Sequence, residues 1–301
     1  MWKNKKDKNF EKIFQGEIGL EIKGWKYYNH AAIPTCAPHE APDLKPIEDR
    51  TIWKMRGNPF LVRWTSDFDC GYETGWWYVI KDAPFESDKL SSNSRKKIRQ
   101  SMKKCTVRRI DAIENVNALY ECFEQAFRRY ENATNYSSYE SFKQGCISDA
   151  KAGLEYWACY DNESSVLIGY MIITIYKDYV ELNTTKLHPD FLKRGTSAAL
   201  YSTVLDHYLN LKKKKYLVSG TRNINHKTNT EEYKIETFGY RRAYCKLNIV
   251  YNPKFKCVVD FLYLFRRILR VFDNVSKIHQ INAVLLMEEI RRKDRKLGEI
   301  K

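Results

Sequence analysis

The sequence predicts an α+β protein, and three observations carry that expectation. Segments rich in β-branched and aromatic residues recur between segments of helical period through residues 105–251. Three successive strand-like segments are joined by turns as short as "DNES" and "KD", which suit antiparallel hairpins. A glycine turn then opens a helix that leads to a further strand, the pattern of a crossover between parallel neighbours. Antiparallel strands first and a parallel crossover later describe a mixed sheet.

Each element follows from its residues. The stretch "HAAIPTCAPHEAPDLKP" reads as an extended, proline-rich loop. "PFLVRWT" and "GWWYVIKD" read as strands. "LSSNSRKKIRQSMKKC" reads as a helix with serine at its N-cap, Ile98 and Met102 forming a narrow apolar stripe under a basic face. "CTVRRIDA" is a strand. "VNALYECFEQAFRRY" puts Val116, Leu119, Tyr120, Phe123 and Phe127 on one helical face, and "SYESFKQGCISDA" is a second helix. "LEYWACY", "VLIGYMIITIY" and "YVELNTTKL" are the three hairpin-linked strands. "SAALYSTVLDHYLN" is the crossover helix, with Ala199, Val204 and Leu205 facing inward. The strand "KYLVSG", a helix around "NTEEYKIETFG" and the strand "AYCKLNIVY" complete the order β-α-α-β-β-β-α-β-α-β. Residues 256–296 form a long helical pattern, with Val258, Leu262, Phe265, Leu269 and Phe272 at 4-3-4-3 spacing and Arg266, Arg267 and Arg270 on other faces.

Composition bounds the function. With 301 residues, 43% hydrophobic and 30% charged, the chain is a folded protein with ample material for a core, not a disordered one. A net charge of +15 favours anionic partners: cofactor phosphates, nucleic acid or an acidic membrane face. Eight cysteines without a CxxC pair read as reduced thiols of a cytoplasmic protein. Cys36 and His39 form a lone CxxH with no second pair, so no metal is expected. The N-terminus is charged where a signal peptide needs an apolar core. The most hydrophobic segment, "CVVDFLYLFRRILRVF", carries Asp260 and three arginines and does not suit a membrane span.

The glycine turn in "FLKRGTSAAL" (residues 191–200) places a helix N-terminus at the C-terminal edge of a strand, where mixed sheets bind phosphates. With "FGY" before the last strand, this order resembles the GNAT acyltransferase superfamily over residues 105–252. The resemblance implies a mixed sheet with splayed central strands flanked by helices, and acetyl-CoA or another acyl-CoA as donor. Its phosphate turn would fall on Lys193, Arg194, Gly195, Thr196, Ser197 and Ala198. Leu192 stands where that family has Gln or Arg, and Ser197 where it has a second Gly or Ala. The oxyanion would meet a backbone N–H of the strand ending at Leu187. Asn223 and Asn225 would bond the pantetheine arm, and Tyr233 would protonate the leaving thiolate, two residues before the family's usual position. Strand alternation groups Glu181 with Asn183 and Thr185 and makes Glu181 the candidate base for an amine substrate. His188 and His226 flank the same loops.

Upstream, the strand pair and cationic helix are similar to the Fem-type aminoacyltransferases, which carry two GNAT-like units and take amino acids from aminoacyl-tRNA. That resemblance implies a degenerate GNAT-like half-domain over residues 1–104, with residues 253–301 as a helical extension. Three readings stand: an acyl-CoA-dependent N-acyltransferase, a Fem-like transferase that binds tRNA through Arg95, Lys96, Lys97 and Arg99, and a GNAT-fold binding protein without catalysis. The C-terminal helix suits its own domain, a second copy in a homodimer, or an acidic membrane.

Overall fold

Short β-rich segments open the described chain, and they pair. The computed structural model describes residues 21–128, 137–224 and 229–299. Two units form, one from residues 1–78, 221–227 and 243–301, the other from 79–220 and 228–242. The sequence reading instead places boundaries after residues 104 and 252. The difference arises because the basic helix packs with the strands that follow it, while the last strand and C-terminal helices pack with the N-terminal region.

In the first unit, β1 (Glu21–Ile22), β2 (Trp25–Tyr28) and β3 (Ala31–Pro34) run antiparallel in turn. The stretch read as wholly loop therefore contributes β3. Its small Ala31 and Ala32 are both buried. The chain then passes through α1 (Lys45–Glu48) and returns as β4 (Leu61–Ser66), parallel to β3. Trp25, Ala32, Ile52, Met55 and Val62 close this end of the core, and the Trp25 indole donates to the Asp43 carbonyl at 2.8 Å. β5 (Trp76–Lys81) carries the chain into the second unit.

There α2 (Ser92–Lys104) begins at Ser91, whose hydroxyl accepts from the Ser94 N–H at 3.2 Å. Its buried stripe is Ser94, Ile98 and Ser101, whereas Met102 is exposed, which corrects the predicted Ile98–Met102 stripe. β6 (Cys105–Ile110), α3 (Val116–Phe127), α4 (Tyr139–Lys151), β7 (Glu155–Asp161), β8 (Leu167–Ile175), β9 (Tyr179–Leu187), α5 (Thr196–Leu205), β10 (Tyr216–Thr221) and α6 (Thr230–Phe238) follow in the expected order. β6 to β9 are antiparallel in sequence order, and β10 lies parallel to β9. α3 buries Val116, Leu119, Cys122 and Phe123 against Tyr156, Ala158 and Tyr170. α5 buries Ala199, Val204 and Leu205 completely, as their spacing predicts. Its Thr196 packs onto the sheet at Gly169, where an added Cβ would lie 2.7 Å from the threonine methyl.

β11 (Arg241–Tyr251) returns to the first unit antiparallel to β4, alternating buried Ala243, Cys245, Leu247, Ile249 and Tyr251 with half-exposed neighbours. The C-terminal pattern is broken rather than continuous: α7 (Pro253–Leu264), α8 (Arg266–Leu269), a 3₁₀ turn over Arg270–Phe272, then α9 (Ser276–Glu299). Of the residues at 4-3-4-3 spacing, Leu262 and Leu269 pack inward beside buried Val259, whereas Val258, Phe265 and Phe272 are exposed. Two buried carboxylates tie α9 down. Glu288 accepts from Tyr251, Arg291 and Arg292, and Asp294 accepts from the Gly75 N–H at 2.9 Å. Among the described residues no helix is long and apolar enough to cross a membrane.

Candidate functional site

The site begins where two parallel strands part. β9 pairs with β10 at only three positions: Tyr179–Tyr216, Val180–Leu217 and Glu181–Val218. From Leu182 onward its β10 side has no partner strand among the described residues. Its other edge keeps β8 throughout, but the pairing skips a residue: Ile173 opposes Leu182 and Ile172 opposes Thr184, leaving Asn183 as a bulge. Opposed residues share a face. Leu182, Thr185 and Leu187 therefore lie with Ile173, Met171 and Gly169 on the α5 side, while Glu181, Thr184 and Lys186 lie with Thr174, Ile172 and Tyr170 on the α3 side. The predicted grouping of Glu181 with Thr185 is overturned by that one extra residue. The Glu181 carboxylate meets the Tyr176 hydroxyl at 3.4 Å, away from the cavity described next.

On the α5 side of the splay is a cavity of about 320 Å³, bordered by Thr185, Leu187, Ser197, Tyr201, Tyr233 and Lys234 among others. That volume suits an acyl or aminoacyl group rather than a whole nucleotide, being at the small end of ligand pockets. The Tyr233 side chain hydrogen-bonds Ser197, and burial raises its phenol above the ordinary tyrosine value. The Lys234 ammonium donates to the Ser219 carbonyl at 3.1 Å and stands 6.0 Å above the Tyr201 ring. Burial depresses it to about 8. Tyr201 is bonded to Thr185 and Ser219 and stacks on Phe238 at 5.0 Å. A phenol, a hydroxyl and a half-buried cation thus meet beside an unpaired strand edge.

The glycine turn adjoins this cavity. A 3₁₀ segment (Pro189–Arg194) ends at Gly195, whose φ of +83° is the left-handed conformation that favours glycine, and α5 starts at Thr196. Thr196 and Ala198 are buried, and the Thr196 hydroxyl donates to the Phe191 carbonyl at 3.2 Å. Arg194 is held by two carboxylates: its Nε lies 3.1 Å from buried Asp161, and its terminal nitrogens fork onto Glu163 at 2.7 Å and closer. Those bonds keep the guanidinium firmly protonated. Lys193 is exposed, and Leu192, also exposed, borders the cavity. Ser101 of α2 covers the turn, for a Cβ on Gly195 would stand 2.8 Å from the Ser101 Cβ. Gly195→Val is expected to destabilise the protein by ~2–4 kcal/mol through strain and collision together, read as a fall in the urea midpoint. An unchanged midpoint would show that α2 yields freely.

α2 lies beside the Gly195 turn and beside Tyr233, which lines the cavity. Arg95, Lys96, Lys97, Arg99, Lys103 and Lys104 are all exposed, and the helix has no acidic residue. Lys97 lies 6.0 Å from the Tyr233 ring. Of the other predicted residues, Asn223 is exposed in the first unit, and Asn225 and His226 lie outside the described residues. His188 accepts from the Asp190 N–H at 3.3 Å and packs edge-on against Phe191. No cluster able to hold a metal occurs among the described residues. Lys234 and Tyr201 escaped the sequence reading, and Thr185 was placed on the wrong face. The available signal was spacing, since Lys234 stands four residues before buried Phe238 and so shares its inward face.

FemX is similar in fold, with a TM-score of 0.55 at 9% identity over 78% of this chain and 85% of that one. The C-terminal domain of a candidate lysylphosphatidylglycerol synthetase from Agrobacterium fabrum gives 0.52 at 12% identity, over 76% and 80%. The ribosomal-protein-S18-alanine N-acetyltransferase from Escherichia coli gives 0.28 at 16% identity, over 34% and 58%. No protein-family model and no curated protein matches the sequence. The fold is α+β, a mixed sheet flanked by helices, similar to that of FemX.

Proposed function

We propose that this protein is an acyltransferase that moves an acyl group from an activated ester to an amine in the cavity beside β9. The observation that carries this reading is the meeting of Tyr233, Ser197 and Lys234 where β9 and β10 part. An amine entering there attacks the carbonyl carbon and forms the new C–N bond. The developing oxyanion is met by the Lys234 ammonium and by main-chain N–H groups of the unpaired β9 edge. The C–O bond to the leaving group breaks as the Tyr233 phenol gives it a proton and recovers one from the amine, with Ser197 holding the phenol in place. Tyr233→Phe is expected to lower turnover ~10–100-fold while donor binding is kept, measured by steady-state kinetics alongside equilibrium binding.

The donor that fits best is an aminoacyl ester carried by tRNA, in keeping with the Fem-type resemblance. α2 offers a polyanion a cationic helix beside Tyr233, whereas Ser101 and the engaged Arg194 leave little at the turn for a pyrophosphate. Acyl-CoA is the second reading, favoured by the left-handed Gly195 at the start of α5. Two assays on the full chain separate them: retention of mixed aminoacyl-tRNA on a filter, and the shift in melting temperature with acetyl-CoA. The tRNA reading expects salt-sensitive retention and a flat acetyl-CoA response. The opposite pair of results would transfer the proposal to acyl-CoA.

A further inference from the structure

Nine of the sixteen large apolar side chains exposed among the described residues fall between Phe255 and Val275, so the exposure is concentrated and not scattered. Phe261 is 60% exposed, Leu264 72%, Ile268 59% and Val271 77%. The reason is that α7 is apolar on two sides. Val259 and Leu262, with Tyr263 and Leu269, pack inward toward Leu285 and Ile290 of α9. Phe255, Val258, Phe261, Leu264 and Ile268, three or four residues apart, form a second stripe that the unit does not cover.

Charge on the same segment selects the occupant. Lys254, Arg267 and Lys277 are exposed and make no ion pair with any described residue. The two acids of the segment are already engaged, Asp260 by Lys256 and Arg292, Asp273 by His279. A second copy seated face to face would bring the unpaired cations against their own images, which opposes a symmetric dimer. A surface of anionic headgroups over an apolar interior matches both the stripe and the cations.

We propose that the Phe255–Val275 ridge docks on an anionic lipid bilayer, its apolar stripe entering the acyl boundary while Lys254, Arg267 and Lys277 meet headgroup phosphates. The helices lie in the plane of the interface, since none among the described residues is built to span it. The proposal does not depend on the acyltransferase reading. Co-sedimentation of the full chain with phosphatidylcholine vesicles containing about a third phosphatidylglycerol tests it, with pure phosphatidylcholine for comparison. The parent chain is expected to pellet with the anionic vesicles. A Phe261→Asp/Leu264→Asp/Ile268→Asp variant is expected to bind ~10-fold or more weakly with its melting temperature unchanged. Lys254→Glu/Arg267→Glu, which leaves the stripe intact, is expected to lose several-fold. Three results overturn the proposal: a parent chain that stays in solution, a triple variant that pellets like the parent by net charge alone, or a parent that is dimeric by light scattering and a triple variant that is monomeric.

Discussion

Lys234→Met is expected to lower turnover ~10²–10³-fold and, in the same protein, to raise the melting temperature by about 2–4 °C. Both effects come from one half-buried charge. The ammonium is depressed to about 8 by burial, which means that the fold disfavours the charge it holds. A folded value below the unfolded one makes stability rise with pH from about 8 up to the ordinary lysine range, because the unfolded chain there binds the proton that the folded chain has released. Methionine fills similar space without the desolvation cost, so stability increases where chemistry is lost. If the protonated form meets the oxyanion, activity declines as pH rises past about 8. Lys234→Arg should carry that alkaline limb upward, a shift that a purely structural lysine would not produce. Unaltered turnover in Lys234→Met would remove Lys234 from the mechanism.

Reversing Lys96, Lys97 and Arg99 to glutamate is expected to weaken tRNA binding ~10²–10³-fold at low salt and leave the fold unchanged. All three side chains are exposed; Lys96 and Arg99 point away from buried Ser94, Ile98 and Ser101, while Lys97 flanks that stripe and reaches over the Tyr233 ring, so the core packing does not depend on them. Every phosphate that goes unneutralised in the variant should also flatten the slope of log affinity against log salt by about 0.7–0.9. The slope separates missing ion pairs from general weakening, which would move the affinity and leave the slope as it was. Equal affinities for parent and variant would separate α2 from the donor.

The order of elements from Cys105 to Tyr251 was legible because each step has a local cause: short hairpin turns, a 3.6-residue apolar period in α3, and strict alternation along β11. Tyr233 and Ser197 were likewise within reach, since the turn and α6 both mark themselves with glycine. What could not be read was register. The bulge at Asn183 inserts one residue without any glycine or proline to announce it, and that residue moves Glu181 to the opposite face from Thr185. The covering of Gly195 by Ser101 is a contact between residues far apart in sequence, which no local pattern encodes. Lys234 looks like an ordinary solvated helix lysine until Phe238, one turn later, shows which way the helix faces.

The return of β11 to β4 has a consequence for how the protein is made. Leu61 pairs with Tyr251, and buried Asp294 closes onto Gly75, so the first unit draws its partners from opposite ends of the described chain. During synthesis the second unit has nearly all its residues in hand while the first still lacks β11 and the helix that caps its core. The strands β1 to β4 must therefore wait, unpaired on the β4 edge, until residues 241–294 have left the ribosome. Chains cut short before residue 241 should accordingly carry a folded second unit joined to an aggregation-prone first one, and in the full chain β1 to β4 should be the last segment to become protected from proteases.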